Sequence, residues 1–275
     1  MNQEIAGYSL TRKLPGASDV RSYVALDAQQ ERYIVRTLDP ADSPSRSLRK
    51  RFLRGASILA ALQSPRPHPN LPTLVAAGIE RKTPYIVRRY VESRSLRDLM
   101  LYRDPVLLEN PFVFIRQLAN VLQYIHARGF IHLDVKPENL LVRPDGVLLL
   151  VDFDFALPAK RFFKRVRDIP STPAYLPPET LVRRAADERA DIYAFGVCAY
   201  EMLTLHKPFE GEKIEQVHAA QIDPRTPPVP LRQWNESVSP ALANLVMKCI
   251  AKDPADRYPD MALVLRDLDR LKAPA

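Results

Sequence analysis

Four polar side chains gather in one short stretch: Asp134, Lys136, Asn139 and Asp152. The stretch reads Phe130-Ile-His-Leu-Asp134-Val-Lys136-Pro-Glu-Asn139-Leu-Leu-Val142. A turn at Pro144-Asp145-Gly146 follows, then Leu148-Leu-Leu-Val-Asp152-Phe153-Asp154. Two carboxylates, an ammonium and an amide at this spacing suit phosphoryl transfer. A carboxylate orients the attacking hydroxyl, and a cation stabilises the γ-phosphoryl. An amide and a second carboxylate hold magnesium, whose preferred ligands are oxygens. A lone His-x-Asp is more often a plain surface loop; the ordered set carries the reading.

These residues need elements to hold them. The stretch lies between a helical pattern, with Phe114, Leu118, Val121, Leu122 and Ile125 on one stripe, and two strand-like apolar runs. Upstream, Tyr8 to Leu14, Ser22 to Leu26, Tyr33 to Leu38, Leu74 to Ile79 and Tyr85 to Tyr90 read as strands. One helix, roughly Ser47 to Leu62, interrupts them. Downstream, helical patterns run from Ala190 to Leu205, Pro240 to Ile250 and Met261 to Leu271. The expectation is an α+β chain in two parts. Residues 1–90 form a small antiparallel β-sheet lobe with one helix, and residues 91–275 a larger, mainly helical lobe.

The chemistry-bearing stretch resembles the catalytic core of eukaryotic-type Ser/Thr protein kinases. That family's catalytic loop is His-Arg-Asp, then Lys two residues on and Asn three beyond, and its metal motif is Asp-Phe-Gly. Here they read His132-Leu133-Asp134, Lys136, Asn139 and Asp152-Phe153-Asp154. Ser171-Thr-Pro-Ala-Tyr-Leu-Pro-Pro-Glu179, Asp191-Ile-Tyr-Ala-Phe-Gly196 and Asp253-Pro-Ala-Asp-Arg257 continue the resemblance in order. It implies a bilobal kinase fold using ATP and magnesium. Asp134 and Lys136 are then catalytic, and Asn139 and Asp152 bind the metal. Arg36, Ala25, Leu141, Gly16 and Arg88 fall at nucleotide-binding positions. His132, Phe153, Glu179, Arg257 and Asp191 are structural, with Glu179–Arg257 a buried ion pair and Asp191 anchoring the catalytic-loop backbone.

The small lobe departs from the pattern. The phosphate loop, which needs glycine where backbone N–H groups approach phosphate, has Pro15, Ala17 and Val20 at its glycine positions. Only Gly16 remains, one residue out of register. Arg36 replaces the strand lysine, and Gly55 replaces its helix glutamate. From Ser43 to Ile79 no acid is available to substitute. Arg88 stands behind the adenine position and must find Asp152, Asp154, backbone carbonyls or solvent. Asp154 replaces glycine, either stiffening the turn or adding a metal contact. Leu133 replaces the arginine that would bind an activation-segment phosphate, so phosphorylation there need not switch the protein on. Two functions follow: an atypical Ser/Thr kinase of low activity, or a pseudokinase acting as a scaffold or allosteric binding module.

Composition sets the bounds. The 275 residues are 46% hydrophobic and 26% charged, an ordinary globular balance that excludes a disordered or collagen-like chain. Eight glycines leave few for a ligand loop. Cys198 and Cys249 are too few for a disulfide framework and read as buried thiols of a cytoplasmic protein. Neither a signal peptide nor a membrane segment is expected. The formal charge is +8, all of it within residues 1–90. Arg46, Arg49, Lys50, Arg51 and Arg54, and the cluster Lys160, Arg161, Lys164, Arg165 and Arg167, read as solvated faces or as docking surfaces for an acidic protein substrate or signalling partner. No nucleic-acid motif accompanies them.

Overall fold

The computed structural model describes residues 4–15, 19–38, 44–159, 164–166, 168–170, 172–209, 211 and 213–271. The chain divides into two compact units, Met1–Glu92 with Asp152–Asp154, and Ser93–Val151 with Phe155–Ala275.

The first unit is an antiparallel sheet with one helix. Its strands are β1 (Glu4–Ile5), β2 (Tyr8–Leu14), β3 (Val20–Leu26) and β4 (Arg32–Leu38). Helix α1 (Arg46–Leu62) precedes β5 (Leu74–Glu80) and β6 (Thr83–Arg89). Their order is β1-β2-β3-β4-β6-β5. Side chains alternate across a strand, so the register sorts them. Arg36 pairs with Ser22 and Ile86, and Ile34 with Val24 and Arg88. These residues share one face with Leu38, which packs with Ile86 on Phe52 and Ala56 of α1. The opposite face carries Ile5, Ala25, Val35 and Val87.

The second unit is mainly helical. Its short strands are β7 (Arg94–Ser95), β8 (Phe130–Ile131), β9 (Leu140–Val142), β10 (Leu148–Leu150), β11 (Leu157–Pro158), β12 (Lys164–Arg165) and β13 (Ala185–Ala186). Its helices are α2 (Leu96–Leu101), α3 (Pro105–Leu108), α4 (Pro111–Ala127), α5 (Pro178–Arg183), α6 (Glu188–Thr204), α7 (Ile214–Ile222), α8 (Leu231–Trp234), α9 (Pro240–Cys249) and α10 (Met261–Arg270). The sequence pattern finds the long ones. It misses α2, α3, α5, α7 and α8, which are too short or too irregularly apolar to show a period. Helix α6 is the centre of this unit, with Ile192, Tyr193, Phe195, Val197 and Tyr200 wholly buried. Gly196 lets α9 approach: a Cβ there would stand 2.7 Å from atoms of Cys249 and Ile250. Among the described residues no helix is long and apolar enough to cross a membrane.

Candidate active site

Strands β8 and β9 flank the polar loop of the second unit. Gln117 on α4 steadies the β9–β10 hairpin, donating to the Gly146 carbonyl and accepting from the Leu148 amide, both at 2.9 Å. Within the loop, Lys136 Nζ lies 2.9 Å from Asp134 Oδ1. Asn139 Nδ2 donates to the Asp134 backbone carbonyl and to Asp134 Oδ2, each at 2.8 Å. Lys136 also reaches Thr172 Oγ1 at 3.4 Å. The carboxylate of Asp134 is thus held from both sides and is nearly buried, at 6% exposure. Leu141, half-buried, points away from its buried neighbours Leu140 and Val142.

Beneath the loop, Asp191 of α6 accepts the amides of His132 at 2.7 Å and Leu133 at 2.8 Å, and bonds His126 Nε2 at 2.9 Å. Burial pushes the Asp191 carboxyl up, but His126, His132 and these amides outweigh it and hold its pKa below the ordinary value. The geometry is demanding here because Leu133 is left-handed, with φ 64°. Its side chain packs with Ile131, Leu157, Val166, Ala186 and Ala190. Glu179 and Arg257 form a two-pronged buried pair at 2.7 and 2.9 Å.

The first unit holds the second group. Arg36 forks onto Asp154, with Nη1–Oδ1 at 3.1 Å and Nη2–Oδ2 at 3.0 Å. Its Nη2 also meets both oxygens of Asp152, at 3.2 and 3.3 Å. Burial acts to lower the Arg36 pKa, and the charges of Asp152 and Asp154 more than reverse it. Burial pushes the Asp154 carboxyl up, to about 6, against the pull of Arg36. At neutral pH the carboxyl is therefore ionised, as the forked contact requires.

One expectation is corrected here. Acid is not missing around Arg36: Asp154 supplies it, 118 positions away in the chain. Arg88 does not pair with Asp152 or Asp154. It lies half-buried beside them, its Nε buried without a hydrogen-bond partner, and burial and then Arg36 bring its pKa down to about 10. Asp154 lies in a turn, pairs there with Arg36, and follows Asp152, the residue with positive φ, at 68°.

Ala25 is wholly buried on the sheet face opposite Arg36, so the structure does not bring it to this group. Ser22 and Val24 share the face of Arg36 instead. Phe153, at 3% exposure, lines a cavity of about 10 Å³ with Arg36, Gly55, Leu59, Arg88 and Asp154. Gly16, Ala17, Lys160, Arg161 and Arg167 lie outside the described residues. The basic face of α1 is not all solvated: Arg54 Nη2 reaches the Asp154 carbonyl at 3.4 Å.

Each unit carries an oxygen donor of the kind magnesium takes. Both hydrogen bonds recorded for the Asn139 amide leave from its nitrogen, so its oxygen is the atom suited to ligation. Asp152 has the more open carboxylate, 30% exposed and only loosely held by Arg36. Hard oxygens of this kind are what the ion takes.

Sequence reasoning missed a further network. Arg97 binds Glu138 and Glu201, both at 2.9 Å, and Tyr175 donates to Glu201 at 2.6 Å. Arg97 and Glu201 are 104 positions apart, and no spacing rule links them.

A protein kinase domain family model matches residues 17–266. The chain is 32% identical to serine/threonine-protein kinase PknB of Mycobacterium leprae over 93% of its own length and 41% of that protein. It is 30% identical to PknL of Mycobacterium tuberculosis, over 96% of its length and 65% of that protein. It is 28% identical to PrkC of Bacillus subtilis, over 94% and 39%. The chain thus spans between two fifths and two thirds of the length of these relatives. With the family model running over nearly its whole length, the chain belongs to the protein kinase domain family.

Proposed function

We propose that this chain transfers the γ-phosphoryl group of magnesium-ATP to a serine or threonine hydroxyl of a protein. The observation that carries the reading is the closed set Lys136–Asp134–Asn139, bonded at 2.8–2.9 Å. A buried, doubly held carboxylate is a base of fixed direction. Asp134 accepts the hydroxyl proton as the oxygen bonds to the γ-phosphorus and the bond to the β-phosphate bridge breaks, leaving ADP. Lys136 sits on the same carboxylate and balances charge on the transferred group. Asn139 and Asp152 would each offer an oxygen to magnesium, which when bound would neutralise phosphate charge. Arg36 takes the place of lysine and contacts the phosphates through the N–H groups that its fork on Asp154 leaves free.

The pseudokinase alternative rests on the departures at the glycine loop, Arg36, Gly55 and Arg88; the contact of Arg36 to Asp154 favours the kinase reading at one of them. Packing of Leu133 in an apolar cluster supports a catalytic loop ordered without an activation-segment phosphate. Both cysteines are free and buried, which supports a reducing, cytoplasmic setting. The test is radiolabel transfer from ATP to a generic protein substrate, wild type against Asp134→Asn. Transfer by wild type that falls at least about a hundredfold in the variant is expected. Transfer equal in both, or absent from wild type, overturns the reading.

A further inference from the structure

Helix α1 offers Arg36 no carboxylate. Facing the Asp152–Asp154 turn it has Gly55, and the turn fills the space. A Cβ on Gly55 would meet the Phe153 carbonyl oxygen at 2.6 Å, its carbon at 2.9 Å and the Asp154 Cα at 3.1 Å. No side chain fits there without moving backbone. The residue that this close approach brings in is Asp154. Its carboxylate is 6% exposed and forks onto an Arg36 side chain that is 9% exposed. A carboxylate is not buried to that depth for the sake of a turn, since an unpaired buried charge is costly.

We infer that Asp154 is the positioning residue for Arg36, replacing from the metal-binding turn the acid that α1 lacks, with Gly55 as the matching gap. This rests on the phosphotransfer reading above. The arrangement separates two duties. Asp152 contacts Arg36 only through Nη2, at 3.2 and 3.3 Å, and is the more exposed carboxylate. Asp152 can therefore turn to magnesium while Arg36 keeps its fork on Asp154. Without Asp154, the cations Arg36 and Arg88 face Asp152 alone, and Asp152 is held back from the metal.

The experiment is a four-protein cycle of wild type, Asp154→Asn, Arg36→Met and the double variant. Each is titrated with a fluorescent ATP analogue across a magnesium series, and each is melted without nucleotide. Asp154→Asn is expected to weaken nucleotide binding about tenfold and to raise the magnesium needed for half-maximal binding. The double variant should be no weaker than Arg36→Met alone, because the two residues act as a unit. A merely structural Asp154 would not move the magnesium midpoint. Should Asp154→Asn fail to fold, Asp154→Gly takes its place in the cycle. Unchanged affinity and magnesium midpoint, or additive losses, overturn the inference. Wild type that binds no nucleotide at any magnesium level defeats the phosphotransfer reading instead. The melting temperatures then decide the pair: non-additive losses sustain it, and additive losses overturn it.

Discussion

Gly55 and Phe153 are in backbone contact: a Cβ on the one would stand 2.6 Å from the carbonyl oxygen of the other. The contact ties helix α1 to the turn that carries Asp152 and Asp154.

Gly55→Ala tests that tie. Alanine improves helix propensity by about 1 kcal/mol. Overpacking against a backbone carbonyl costs about 1–3 kcal/mol, because backbone cannot rotate away as a side chain can. Net destabilisation and weaker nucleotide binding are expected, read by thermal melting and by titration. Gly55→Glu should be worse, and it should not restore activity to Arg36→Lys. A stabilised Gly55→Ala with wild-type binding would show that the turn is free to retreat.

Leu133→Ala removes an apolar anchor from the cluster that holds Val166. The expected loss is about 2–5 kcal/mol, since the side chain is 4% exposed and leaves a cavity. Urea unfolding gives the stability. A variant as stable as wild type would sink the idea that Leu133 anchors this cluster.

Asp191→Asn probes the support under the catalytic loop. The folded pKa of Asp191 lies below 3.8, so its charge contributes stability in full above that value. The contribution is lost as pH falls through the lower, folded value. The variant lacks this acid limb, so its stability should fall less steeply than wild type below about pH 4. Asp191→Ala strands the amides of His132 and Leu133, at about 1–3 kcal/mol each. Parallel acid limbs in wild type and Asp191→Asn would exclude a charged Asp191 from this role.

Much of the catalytic loop was legible in the sequence because its geometry is local. Asp134, Lys136 and Asn139 are so close in the chain that one loop conformation brings them together. Long elements were legible too: β5 and α4 each carry a period that burial follows. The partner of Arg36 was not legible. A scan for acids near Gly55 finds none, and Asp154 lies 118 positions away from Arg36. Its approach depends on how closely α1 meets a backbone turn, a distance that no spacing rule contains. Nor could the sequence choose the face of Ala25. With side chains alternating every residue, strand register alone puts Ala25 with Val35 and Val87, and Ser22 and Val24 with Arg36. Residue types determined which chemistry the chain can attempt. Tertiary packing decided which charge answers which, because a buried arginine takes the carboxylate that the fold brings within 3 Å, wherever that carboxylate stands in the chain.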